Sequence, residues 1–179
     1  MNLHIEKLQQ LSTPYYYYDT DLLVATLAEV KSHLTSDFHV HYAVKANANP
    51  TILRHICKAG LGCDCVSGGE IEACLRAGFS ADKIVYAGVG KADWEINLGL
   101  DAGIFCFNCE STEELAIINE LAAAKNKVAR VALRINPNVG AHTHANITTG
   151  LAENKFGIAM EDMEQVIGLC EAASHIEFV

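Results

Sequence analysis

The sequence predicts an α/β protein of the (β/α)8 TIM-barrel type, present here as an incomplete barrel of about six strands. Three observations lead there. Apolar strand-like runs alternate with helix-period segments along the chain, and no two runs lie close enough for a tight hairpin, which is the pattern of a parallel sheet with crossover helices. The runs are short and apolar, as strands buried on both faces are. Six can be counted, and the last residue of the sequence, Val179, falls within the sixth, whereas a closed barrel takes eight strands.

Residues 1–18 form an N-terminal extended segment, with Thr13-Pro14 followed by four tyrosines, Tyr15 to Tyr18. Residues 19–179 form the partial barrel domain. Asp19 caps a helix with Leu22, Leu23, Ala25, Leu27 and Val30 on its apolar face. Phe38 to Val44 is the first strand, with His39, His41, Ala43 and Lys45 on one face by alternation. Pro50 opens a helix through Cys57 that Gly60 ends. Leu61 to Val66 is a strand, and a helix follows from Ser67 to Gly78. Ile84 to Ala87 is a strand, followed by Gly88-Val89-Gly90 and a helix around Trp94, Ile96 and Leu98. Ile104 to Phe107 is a strand, with a helix from Ser111 through Leu121. Val128 to Ile135 precedes a loop from Asn136 to about Asn154, Glu161 to Ala173 is helical, and His175 to Val179 begins the sixth strand.

Composition excludes several functions. The net charge is −9, from 13 Lys and Arg against 22 Asp and Glu, with no basic block, which argues against nucleic acid or anionic membrane as partner. There is no apolar run long enough to span a bilayer, and Met1 to Leu11 carries His4, Glu6 and Lys7 rather than a signal-peptide core. A cytoplasmic protein is expected. Seven cysteines include the pairs Cys63-x-Cys65 and Cys106-x-x-Cys109, but both lie in apolar runs rather than in zinc knuckles, so they read as buried thiols and no metal site is assigned.

Lys45 is the residue on which the functional reading turns. It ends an apolar strand, where burial of an ammonium is costly. Either it snorkels to solvent, or desolvation lowers its pKa and makes it a Schiff-base nucleophile. In a barrel, the loops after the strands form the active face. They carry Lys45 and Asn47; Asp64, Ser67 and Glu70; Gly88 to Lys91; Asn108 and Glu110; then Arg134, Asn136, His142, His144 and Lys155. Alternatives stand beside these. Ser67-x-x-Glu70 and Ser111-x-x-Glu114 fit the capping box, which alone accounts for Glu70. Gly88-Val-Gly90 fits a tight strand-to-helix turn, and His142-x-His144 has no close carboxylate or cysteine to complete a metal site. His39 and His41 are either lower-layer barrel residues or a sign of slipped register. Asp64 interrupts an apolar run with no cap to explain it.

Four motifs, Tyr42-Ala-Val-Lys-Ala-Asn47, Cys63-Asp-Cys-Val-Ser-Gly-Gly-Glu70, Tyr86-Ala-Gly-Val-Gly-Lys91 and Leu133-Arg-Ile-Asn-Pro-Asn-Val139, resemble the fold-type III, pyridoxal-phosphate-dependent decarboxylases. The loop from Ala141 to Ile158 is similar to that of the diaminopimelate decarboxylase family in particular. The resemblance runs from Thr13 to Val179 and implies that Lys45 holds pyridoxal 5'-phosphate as a Schiff base, with Asp64, Glu70 and Arg134 near the cofactor. It implies decarboxylation of the amino acid meso-2,6-diaminopimelate to L-lysine and CO2, by a protein that is a homodimer at full length. It also implies further parts that match nothing here: a ring-stacking histidine, a glycine-rich phosphate loop, an acid for the pyridine nitrogen and a C-terminal β-domain. The 179 residues alone are therefore expected to be inactive. The alternatives are a related decarboxylase of ornithine, arginine or carboxynorspermidine type, a non-catalytic homologue acting by subunit association, and a small single-barrel cofactor-binding protein.

Overall fold

The computed structural model describes residues 8–137 and 156–179. Helix α1 (Thr20–Ser32) is capped by Asp19, whose carboxylate accepts from Leu22 N. The sheet then builds through β1 (His41–Ala43), α2 (Pro50–Lys58), β2 (Gly62–Cys65), α3 (Gly68–Ala77), β3 (Ile84–Tyr86), α4 (Asp93–Ala102), β4 (Cys106–Cys109), α5 (Thr112–Ala124) and β5 (Ala129–Leu133). Two short strands follow, β6 (Ile135–Asn136) and β7 (Ile158–Ala159), and then α6 (Met163–Ala172) and β8 (Ile176–Phe178). Six strands pair in the order β1-β2-β3-β4-β5-β8, all parallel, and β6 pairs with β7 in a separate parallel ribbon. This is the open α/β sheet expected, with strand order following chain order as in a barrel wall.

The pleat sorts the strand residues into two sets. Cys63, Cys65, Ile84, Tyr86, Phe107, Cys109 and Val131 are buried and join Leu53, Ile56, Ile71, Ile96 and Ile118 of the helices in one core. Register places Ala43 beside Asp64 and Asp64 beside Val85, so the alternate residues, His41, Asp64, Val85, Asn108 and Arg130 among them, occupy the other face and are half-buried. His41 lies at the start of β1 across from Gly62, where a Cβ would meet its ring at 2.4 Å. His41 is thus a lower-layer residue of the inner face, and its register does not slip.

Several boundaries differ from the sequence reading. Strand β1 starts three residues late, and Phe38 is exposed. The chain also leaves extended geometry at Val44, where a 3-10 turn (Val44–Ala46) begins. In α1 only Leu23 and Leu27 pack against the core, while Leu22 and Val30 are exposed, because the helix lies at the sheet's edge beside α2. The fourth strand is displaced by two residues, since Gly103 ends α4 in the left-handed region (φ +68°) and Ile104 packs back under Gly99. The fifth run breaks at Arg134 into β5 and β6. Ile158 N donates to Arg134 O at 2.8 Å, and Gly157 (φ +95°) has no room for a Cβ, which would lie 2.7 Å from that oxygen.

Candidate functional site

The C-terminal ends of the strands gather the predicted polar residues. Lys45 sits in the 3-10 turn after β1, fixed by Asn47 N donating to Val44 O (3.0 Å) and Tyr42 Oη donating to Asn47 O (3.2 Å). Asn47 and Asn49 each accept a backbone N–H two residues on, which hands the chain into α2. The lysine is exposed, so of the two strand-end readings the solvent-reaching one holds and the desolvated one does not. The turn lifts it clear of the sheet, and β1 has no further strand beside it among the described residues.

Asp64 lies on the inner face of β2. Its Oδ1 is buried and is the one buried side-chain polar atom without a hydrogen-bond partner among the described residues. Burial raises its pKa above 3.8, against the opposing pull of Lys45, His41 and Arg134. Glu70 behaves as a capping residue: Ser67 Oγ accepts from Glu70 N (3.3 Å), and Glu70 Oε2 accepts from Val66 N (2.8 Å). The capping reading of Glu70 is therefore correct as far as its contacts go, with the carboxylate reaching one residue further back than in the usual box.

Arg134 Nη1 donates to both oxygens of Glu110, at 3.1 and 3.0 Å, and its guanidinium carbon lies 5.6 Å from the centre of the Phe156 ring. Glu110 Oε1 also accepts from Gly88 N (3.0 Å), whose φ of +108° confirms the tight-turn reading of Gly88. Lys91 is buried against Glu114 and donates to Gly88 O (2.7 Å) and Asn108 O (2.8 Å). A cavity of about 480 Å³ opens beside this network, lined by Val89, Lys91, Glu110, Glu114 and Phe156 among others.

Sequence reasoning missed Glu95. It is buried and accepts from Gly68 N (2.7 Å) and Ala92 N (2.9 Å), joining the starts of α3 and α4. Burial raises its pKa, but the Ala92 and Gly68 N–H groups outweigh that and the net shift is downward. No capping-box signature marks it, because Ala92 replaces the usual Ser or Thr. His142, His144 and Lys155 lie outside the described residues.

The cysteines regroup. Cys63 and Cys65 face α3 and meet Cys74, all three buried with sulfur atoms within 4.8 Å of one another, rather than approaching Cys106 and Cys109 as a set. They belong to the helix-side core, on the opposite side of β2 from Asp64.

A parallel βα sheet whose strand ends present an amine, a carboxylate and a guanidinium has the layout of a barrel enzyme's active face. The chain belongs to the family described as "Pyridoxal-dependent decarboxylase, pyridoxal binding domain", which matches residues 21–179. Among its relatives it is 63% identical over 177 residues to the diaminopimelate decarboxylase of Bacteroides thetaiotaomicron, spanning 98% of this chain and 46% of that protein. It is 46% identical over 160 residues to the diaminopimelate decarboxylase of Pseudomonas fluorescens, covering 88% of this chain and 38% of that one. The crystal structure of Helicobacter pylori diaminopimelate decarboxylase complexed with L-lysine superposes with a TM-score of 0.90 at 37% identity, over 99% of this chain and 45% of that one. The chain thus spans about half the length of the relatives it matches, and its sheet corresponds to the N-terminal part of their barrel.

Proposed function

We propose that the chain is the cofactor-binding part of a diaminopimelate decarboxylase, which releases CO2 from meso-2,6-diaminopimelate to give L-lysine. The observation that carries this reading is Asp64. A buried carboxylate oxygen with no partner is costly, and it stands on the inner face beside Lys45 and Arg134. Such an orphan fits a bound group that brings its own hydrogen-bond donor or positive charge to this side of Lys45.

In this reading Lys45 is the catalytic residue. Its exposed amine can reach a carbonyl carbon, and the nearby Asp64 carboxylate favours positive charge developing there. When bound, pyridoxal phosphate supplies the electron sink that makes loss of CO2 possible. Asp64 supplies an acceptor, Arg134 a fixed cation, and Glu70 holds the Val66–Ser67 turn against the cofactor's side of the sheet. The choice of substrate rests on the relatives' names and on the L-lysine in the Helicobacter structure. A homodimer and a cytoplasmic location belong to the same proposal; no helix among the described residues is long and apolar enough to cross a membrane.

The test uses the full-length protein. Borohydride reduction with pyridoxal phosphate should label Lys45, located by peptide mass. CO2 release should be faster from meso-diaminopimelate than from ornithine or arginine, and light scattering should give twice the chain mass. Label on another lysine, or preference for ornithine, overturns the assignment.

A further inference from the structure

We propose that Glu110 is a positioning residue of this site, holding the Arg134 guanidinium in place before any ligand arrives. The proposal rests on the reading above that Arg134 serves the cofactor.

Glu110 and Glu95 are the buried acidic residues among those described. Helix capping explains Glu95 but not Glu110. The start of α5 is already capped by Ser111 Oγ, which accepts from Glu114 N at 3.1 Å, and by Glu114 Oε2, which accepts from Glu110 N at 3.0 Å. The side chain of Glu110 is therefore free of its own helix. It turns instead toward the two neighbouring loops, taking Gly88 N after β3 and Arg134 Nη1 after β5. One carboxylate thus joins the loops that follow three consecutive strands.

The burial is asymmetric. The Glu110 side chain is 3% exposed, whereas that of Arg134 is 49% exposed. An ion pair serving stability alone has no need to keep one partner in water, and a carboxylate this buried needs both its N–H and its cation to offset desolvation. The arrangement anchors the guanidinium at one end and presents the rest to the inner face, where Asp64 senses its charge. Phe156 flanks it from the segment before β7. An arginine is a long side chain that loses much freedom on binding a ligand, and restraint by a buried neighbour removes that cost in advance.

The experiment compares Glu110→Gln, Glu110→Asp, Arg134→Lys and the Glu110→Gln/Arg134→Lys double variant in the full-length holoprotein. Glutamine keeps an oxygen for Gly88 N but loses the charge that holds Arg134. Its dissociation constant for pyridoxal phosphate should rise by between about 10- and 100-fold, as when a supporting hydrogen-bond partner is lost. Glu110→Asp should recover most of the loss. In the Arg134→Lys background the Glu110→Gln change should add less than about twofold, because the group it positions has already gone. An equal loss in both backgrounds, or a Glu110→Gln affinity within about twofold of the parent, overturns the proposal.

A second readout needs no cofactor. Phenylglyoxal modification of Arg134, followed by peptide mass in the cofactor-free protein, should be several-fold faster in Glu110→Gln, and an unchanged rate overturns the proposal. Failure of Lys45 to take label from borohydride in the parent would sink the cofactor reading instead, while the modification rates still decide whether Glu110 holds Arg134.

Discussion

Lys91 offers the sharpest test of how the loops at the C-terminal end are held. Its side chain is 1% exposed and that of Glu114 13%. All three ammonium protons are used, by Glu114 Oε1, Gly88 O and Asn108 O, and the nitrogen lies 5.3 Å from the centre of the Tyr86 ring. Lys91→Met therefore strips the counter-charge from a nearly buried carboxylate and leaves two backbone carbonyls without their donor. Removing one partner of a buried pair costs about 3–5 kcal/mol. Each kcal/mol moves the midpoint by about 2–4 °C for 150–250 residues and by about half as much for a chain twice that length, so thermal unfolding of the full-length protein should begin about 3–10 °C lower.

Urea and thermal unfolding of the full-length protein, followed by circular dichroism, measure the loss. Glu114→Gln added to Lys91→Met removes the buried charge and keeps an oxygen for Glu110 N, so the double variant should recover part of the stability. Lys125→Met is the control, because its contacts with Asp101 are made at the surface and should contribute barely measurably. A Lys91→Met loss below about 1 kcal/mol, or a double variant no better than the single, would refute the view that this pair fastens the loops.

Three further outcomes follow from the same geometry. The folded Asp64 carboxyl keeps its proton above the ordinary 3.8, so the folded state binds more protons in that window and stability is lost as pH rises through it; Asp64→Asn should abolish that slope in thermal scans of the cofactor-free protein while weakening cofactor binding. Gly62→Ala places a methyl 2.4 Å from the His41 ring and 2.7 Å from Lys83 O, and should cost about 1–3 kcal/mol in urea unfolding, with no loss meaning that β1 and β2 can separate freely. Iodoacetamide with peptide mass analysis should label half-buried Cys57 first and the six buried cysteines only on unfolding; rapid native labelling of Cys63, Cys65 or Cys74 would contradict the core placement.

Much of this was legible in the chain itself. Asp19, Ser67 and Ser111 stand at helix starts as their side chains require, and each accepts the backbone N–H expected of a cap. The parallel order followed from the absence of hairpin spacing. Strand register was not legible, because Ile104-Phe-Cys-Phe107 is apolar throughout and only the left-handed Gly103 and the packing of Ile104 settle where pairing begins. Lys45 was placed at the right end of the right strand, yet its exposure depends on a 3-10 turn for which the sequence has no distinct signal. The pairing of β6 with β7 was hidden for another reason: its partners are far apart in sequence, and each is only two residues long. The links made by Glu95 and Glu110 are also between distant segments, and local pattern does not reveal them.

The acids at the C-terminal end divide into two kinds, and that division separates scaffold from chemistry. Glu70 accepts from Val66 N, Glu95 from Gly68 N and Ala92 N, Glu110 from Gly88 N, and Glu114 from Glu110 N. Each of these four carboxylates satisfies a backbone donor that a βα turn would otherwise leave unpaired, and three of them join one turn to the next. Asp64 differs on every count. It belongs to a strand, it caps nothing, and Oδ1 is buried without a partner. A scaffold that satisfies its other acids so thoroughly does not leave one unsatisfied through want of donors nearby. The cost of burying Asp64 is one that a bound group with its own donor would relieve, and the rigid turns around it, laced by Glu95, Glu110 and the Lys91–Glu114 pair, keep the inner face from collapsing to relieve it first.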